Sequence, residues 1–116
     1  MAIATTAEKN SLATKYGTDS TYAALFTADP GTSGTVTGEV TGGSPAYARK
    51  AITWGSPSGG VITATVTFDV PASTTVTFAA VCSAATGATL LDRVAVTSQA
   101  FASQGTYALT LTFTIT

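Results

Sequence analysis

Leu109-Thr110-Leu111-Thr112-Phe113-Thr114-Ile115-Thr116 places an apolar residue at every second position and a threonine after each. In an extended strand successive side chains point to opposite faces, so this run builds one oily face and one hydroxyl-coated face. Val61–Val70 repeats the pattern at full strand length. Ile62, Ala64, Val66, Phe68 and Val70 fall on one side, and Thr63, Thr65, Thr67 and Asp69 on the other. The period is two, not 3.6, and the β-branched content is high, so both stretches read as half-buried strands.

Further strands follow from the same reading. Thr74–Ser83 carries Val76, Phe78, Ala80 and Cys82 on one face and Ala79 and Val81 on the other, which predicts a strand covered on both sides. Leu90–Gln99 and Thr106–Thr116 are joined by a loop near Gln104-Gly105, and Tyr22–Thr27 is the first strand. Ala48–Trp54 alternates Arg49, Ala51 and Thr53 against Lys50, Ile52 and Trp54, which puts Lys50 at a sheet edge or makes it snorkel. Asp29-Pro30-Gly31, Ser56-Pro57-Ser58-Gly59-Gly60, Pro71-Ala72-Ser73 and Ala84-Ala85-Thr86-Gly87 are turn chemistry. Before the strands, Thr5 and Glu8 have capping-box spacing, Leu12, Ala13 and Tyr16 share one side of a short helix over about 5–16, and Gly17 is a stop signal. That apolar stripe is thin, so the helix must lie on the sheet or on a partner. The expected fold is mainly β: an antiparallel β-sandwich or small barrel with a short N-terminal helix, one domain over 1–116, and a long loop over about 28–46 of the kind that is functional or mobile.

Composition narrows the function. Five basic and six acidic residues give a net charge of −1 and a charged fraction of 9%, far below the roughly 25% of an average soluble protein. No basic field exists to hold nucleic acid, and no stretch reaches the roughly 20 apolar residues of a membrane helix. The start Met1-Ala2-Ile3-Ala4-Thr5 lacks the pattern of a secretory signal. With no histidine, one cysteine and six scattered carboxylates, the sequence offers no catalytic residue, cofactor site or metal site. The Ser-His-Asp arrangement lacks its base, and Asp29 lacks the repeated carboxylate spacing of a calcium loop. Asp69 and Asp92 read as solvated strand-end carboxylates rather than a glycosidase pair. Gly42-Gly43-Ser44-Pro45 leads into a strand, not a helix, and so is no phosphate cradle. Cys82, in an apolar run, reads as a small buried hydrophobe. Arg49-Lys50 reads first as an edge gatekeeper and second as a partner contact. A surface so poor in charge suits packing against other protein.

Two segments are more specific. Leu25-Phe26-Thr27-Ala28-Asp29-Pro30-Gly31, then Glu39-Val40-Thr41-Gly42-Gly43-Ser44-Pro45-Ala46-Tyr47-Ala48-Arg49-Lys50-Ala51-Ile52-Thr53-Trp54, resemble a family of small structural proteins of tailed bacteriophages, especially those of actinobacterial hosts. Ser83-Ala84-Ala85-Thr86-Gly87-Ala88 resembles a further turn of that family, with Ala88 where a glycine is usual, and Phe78-Ala79-Ala80-Val81-Cys82 departs from a strand that often holds aromatic or histidine residues. The resemblance implies a tail-fibre-like, minor structural or capsid-decorating protein without catalytic residues.

The leading expectation is therefore a non-enzymatic virion protein that decorates or cements the outer capsid surface, with the major capsid protein and other copies of itself as partners. Leu12, Tyr16, Asp29, Pro30, Tyr47, Arg49 and Lys50 are the candidate interface residues. The alternative is a tail-fibre or baseplate component contacting host surface glycans, which requires aromatics such as Tyr47 and Trp54 on one exposed patch.

Overall fold

The computed structural model describes residues 2–116. Helix α1 spans Thr6–Asp19 and is followed by strands β1 (Tyr22–Phe26), β2 (Lys50–Ala51), β3 (Val61–Val70), β4 (Thr74–Cys82), β5 (Leu90–Phe101) and β6 (Gly105–Thr114). They form an antiparallel four-stranded sheet in the order β2-β1-β4-β5 and a two-stranded sheet, β3-β6. The two sheets face each other as a sandwich. β5 and β6 are consecutive in sequence yet lie in different sheets, so no barrel closes.

β3 shows the alternation in full: Ile62, Ala64, Val66, Phe68 and Val70 are buried, and Thr63, Thr65 and Thr67 are exposed. Its register with β6 is unbroken from Val61↔Thr114 to Val70↔Gly105, so Val66 meets Leu109 and Ala64 meets Leu111 on the inner face. Val66, Phe68, Val70, Leu109 and Leu111 pack with Ala23, Leu25, Val76, Ala79 and Val81 of the opposing sheet and with Val40 of the segment after β1. β4 is covered on both sides, but not with the expected partition. A β-bulge shifts its register with β5 between Val76↔Gln99 and Phe78↔Ala95. The bulge breaks the alternation: Val76 joins Ala79 and Val81 in the inter-sheet core, while Phe78, Ala80 and Cys82 belong to a second cluster with Ala24, Phe26 and Leu90.

That second cluster is covered by the irregular segment after β1. Val36 packs against it. Thr27 N–H donates to Gly38 C=O at 2.9 Å, and Val40 N–H to Leu25 C=O at 3.0 Å, so the segment returns along β1 before leaving it. It forms a third layer whose backbone is tied to the sheet.

α1 begins as its capping signal indicated, with the Thr5 side chain accepting from Glu8 N–H at 3.3 Å. It continues past Gly17 to Asp19. Gly17 serves packing rather than termination: a Cβ there would sit 3.2 Å from the Trp54 ring and 3.3 Å from Ile62. The fully buried Ala13 lies on the same face, and the Tyr16 ring stacks on Phe113 at 3.5 Å and 5°. The helix is thus docked on the sandwich. The expected strand Ala48–Trp54 shrinks to Lys50–Ala51, paired with Ala23 and Tyr22, because Arg49 turns inward to a carboxylate described below. Lys50 does stand on the edge strand of its sheet, with a loose 3.9 Å ion pair to Asp69.

Candidate partner interface

The candidate interface residues fall into separate groups. Arg49 and Tyr47 converge on Glu39. The Arg49 guanidinium donates through Nε to Glu39 Oε2 at 2.8 Å and through Nη2 to Oε1 at 2.9 Å, a bidentate pair. Its remaining donors reach Ala84 C=O at 3.1 Å, Thr89 Oγ1 at 3.3 Å and Gly87 C=O at 2.8 Å. The Tyr47 hydroxyl donates to Glu39 Oε2 at 2.9 Å and accepts from Leu25 N–H at 2.9 Å. Arg49 is only 8% exposed. It is an internal brace joining the 27–49 segment to the β4–β5 turn, not an edge gatekeeper. Hydrogen bonding to Glu39 raises the Arg49 guanidinium above its ordinary value, and burial raises the Tyr47 phenol above its own. Burial also raises the Cys82 thiol, keeping it in the unreactive protonated form.

Asp29 and Tyr16 approach neighbouring residues of β5. Asp29 caps its own turn by accepting from Gly31 N–H at 2.8 Å and pairs with Arg93 Nε at 2.9 Å. Pro30 is buried beside it. Arg93 also donates to Gly31 C=O at 3.1 Å and lies 5.9 Å over the Phe78 ring. Tyr16 donates to Asp92 at 2.9 Å while stacking on Phe113 of β6. Burial first, and the Asp92 carboxylate second, raise its phenol above the ordinary range. Leu12 is exposed on the helix. Glu39, Asp92 and Arg93 complete these contacts and carry no local motif; only the fold brings them to their partners.

The aromatic pair that a glycan platform requires is engaged within the protein. Tyr47 stacks on Phe68 at 15°, and Trp54 meets Tyr16 edge-on while its Nε1–H donates to Ser20 C=O at 2.9 Å.

The long side of the sandwich between β5 and β6 is different. Tyr16 bridges the two strands at one end, through Asp92 and Phe113, and Phe101 faces Tyr107 across the other. Between these ends lies an apolar cleft of about 460 Å³ lined by consecutive residues of both strands, Asp92–Val96 and Leu109–Phe113. Tyr16, Trp54 and Ala79–Val81 of the central strand β4 complete its lining, so the cleft runs from the open β5 and β6 edges into the space between the sheets. Leu91 and Val94 nearby are about half exposed.

Among the described residues no three His, Cys, Asp or Glu side chains cluster as metal ligands. Threonine-faced antiparallel sheets and an inward-turned Glu39–Arg49 pair define a β-sandwich class of protein. The family model for podophage GP4 fiber I protein gp80 matches residues 6–115. The chain belongs to this family of phage fibre proteins and is a non-enzymatic structural component of the virion. No curated protein and no solved structure matches it. The phage and structural parts of the sequence resemblance therefore stand. The capsid-decorating expectation gains no support, since the matched family is one of fibres and fits the tail-fibre alternative better, and nothing in it ties the chain to actinobacterial hosts.

Proposed function

We propose that this chain is a body module of a tail-borne fibre, seated among other virion proteins and other copies of itself. The family match over residues 6–115 carries this reading. The chemistry of the surface supports it. The ion pairs Glu39–Arg49 and Asp29–Arg93 serve internal bracing, so assembly through the hydroxyl-rich strands desolvates few charges, a cost that otherwise weakens an interface. Glycan recognition is not part of the reading, because Tyr47 and Trp54 are committed to internal contacts. Cryo-electron microscopy of intact virions, with antibody labelling and a copy count by quantitative mass spectrometry, tests it. A few copies at the tail are expected. A lattice of many copies over the icosahedral shell would return the chain to a capsid role.

A further inference from the structure

We infer that the free edge of β6 is the seat of a second copy of this chain, joined by antiparallel β6–β6 pairing into a continuous β3-β6-β6-β3 sheet. Backbone geometry fixes which groups are available. Ile115 N–H donates to Gly60 C=O at 2.9 Å, across the β3 side. Direction alternates along a strand and the β3–β6 register is unbroken, so Phe113, Leu111, Leu109 and Tyr107 also bond towards β3. Thr114, Thr112, Thr110, Ala108 and Thr106 therefore turn their N–H and C=O groups to the open edge.

Proteins normally guard such an edge with charge, proline, a bulge or a cover. β6 has none of the first three. Residues 94–116 contain no Asp, Glu, Lys, Arg or Pro, and the β6 register is regular, whereas β5 carries a bulge and Arg93. A two-stranded sheet is also the least self-sufficient form of sheet.

The pattern selects a copy of the same strand as the occupant. Under a two-fold axis, antiparallel pairing brings residue c+k opposite residue c−k. These positions have the same parity, so threonine meets threonine or alanine on one face, and apolar meets apolar on the other. No register opposes like charges, because the strand has none. The area is adequate too. Ten residues at about 3.4 Å each give a strip about 34 Å long, within a molecule measuring 47 × 25 × 23 Å. Two layers about 10 Å apart make that strip about 20 Å wide, or on the order of 700 Å² per copy, close to the roughly 800 Å² per partner of a standard stable interface.

The inference stands whether or not the tail location holds, and its test is separate. Sedimentation of the purified full chain over a concentration series is expected to show a dimer. Hydrogen exchange is expected to show Thr110 and Thr112 amides protected in the dimer and unprotected on dilution. Thr110→Pro removes an edge N–H without touching a β3–β6 bond, and should weaken association about 10- to 100-fold with unchanged far-UV circular dichroism. Should that variant unfold, Thr110→Lys/Thr112→Lys places cations beside the edge on an exposed face and should give a folded monomer. A wild-type monomer at the highest attainable concentration overturns the proposal. So does a dimer that both variants leave intact, or one in which the Thr110 and Thr112 amides exchange freely.

Discussion

Arg49 shows how far a single side chain can depart from its local pattern. In the alternation of Ala48–Trp54 it looks like a surface cation, and an adjacent Lys50 strengthens that impression. Its five donors instead meet one carboxylate, two carbonyls and the Thr89 hydroxyl, contributed by segments ten and more than thirty residues away. Removing one partner of a buried pair leaves the other charge uncompensated. Arg49→Ala is expected to destabilise the fold by about 3 kcal/mol in urea unfolding. Arg49→Lys should recover only part of this, because an ammonium cannot span the fork geometry. Loss of less than about 0.5 kcal/mol in Arg49→Ala would show that the brace is dispensable.

The tyrosines give a pH dependence at the same scale. Tyr16 and Tyr47 have phenols raised above the ordinary 10.0 in the folded protein, chiefly by burial. Unfolding frees them to ionise, so their contribution to stability is complete below pH 10.0 and declines as pH rises beyond it. Unfolding free energy measured across that range should fall more steeply in wild type than in Tyr16→Phe/Tyr47→Phe. Parallel curves would contradict the burial of both hydroxyls.

At the scale of elements, the joint between α1 and the β3–β6 sheet is made at Gly60. Its φ of +80° lies in the region that glycine tolerates, its N–H donates to Asn10 Oδ1 at 2.8 Å, and an added Cβ would stand 2.9 Å from Lys9 Cβ and 3.2 Å from Ile115 O. Gly59, with φ of +61°, faces open space. Gly59→Ala is therefore expected to cost about 1 kcal/mol of backbone strain alone, and Gly60→Ala about 2 kcal/mol or more because the helix must also move. Thermal unfolding of the pair measures the difference. Equal costs would mean that the helix is not held at this point.

Strand existence was legible at this scale, because burial on one face of β3 and β6 imposes a period of two on the residues themselves. The face change within β4 was not. Its bulge depends on three residues of β5 standing between partners of Val76 and Phe78, and neither strand alone records that mismatch. The helix end was missed for a related reason. Gly17 has the chemistry of a stop, yet its missing Cβ is used by Trp54, a residue 37 positions away.

Across the whole molecule, the distribution of charge is as informative as its scarcity. The charged residues end at Arg93, and the neutral remainder supplies most of β5 and all of β6. Association through the β6 edge should thus be nearly indifferent to ionic strength, because backbone hydrogen bonds and apolar contacts are not screened. The dimer dissociation constant from sedimentation is expected to change by less than about threefold between low and molar sodium chloride. A steep loss with salt would implicate Asp92, Arg93 or Lys50 in the contact instead.

The sequence by itself determined that this is a β protein with a capped N-terminal helix, that its strands carry threonine outward, and that it lacks the groups for acid–base chemistry. Those properties reside in the order and identity of neighbouring residues, which periodicity and composition read directly. Only the tertiary structure decided that the segment after β1 forms a covering layer, that Glu39 gathers Tyr47 and Arg49, and that β5 and β6 part into separate sheets with an open cleft between them. Each depends on which distant backbone pairs with a given edge. β6 finds its full partner in β3 and β4 finds its partner in β5, so β5 and β6, joined by only three residues, remain unpaired with each other.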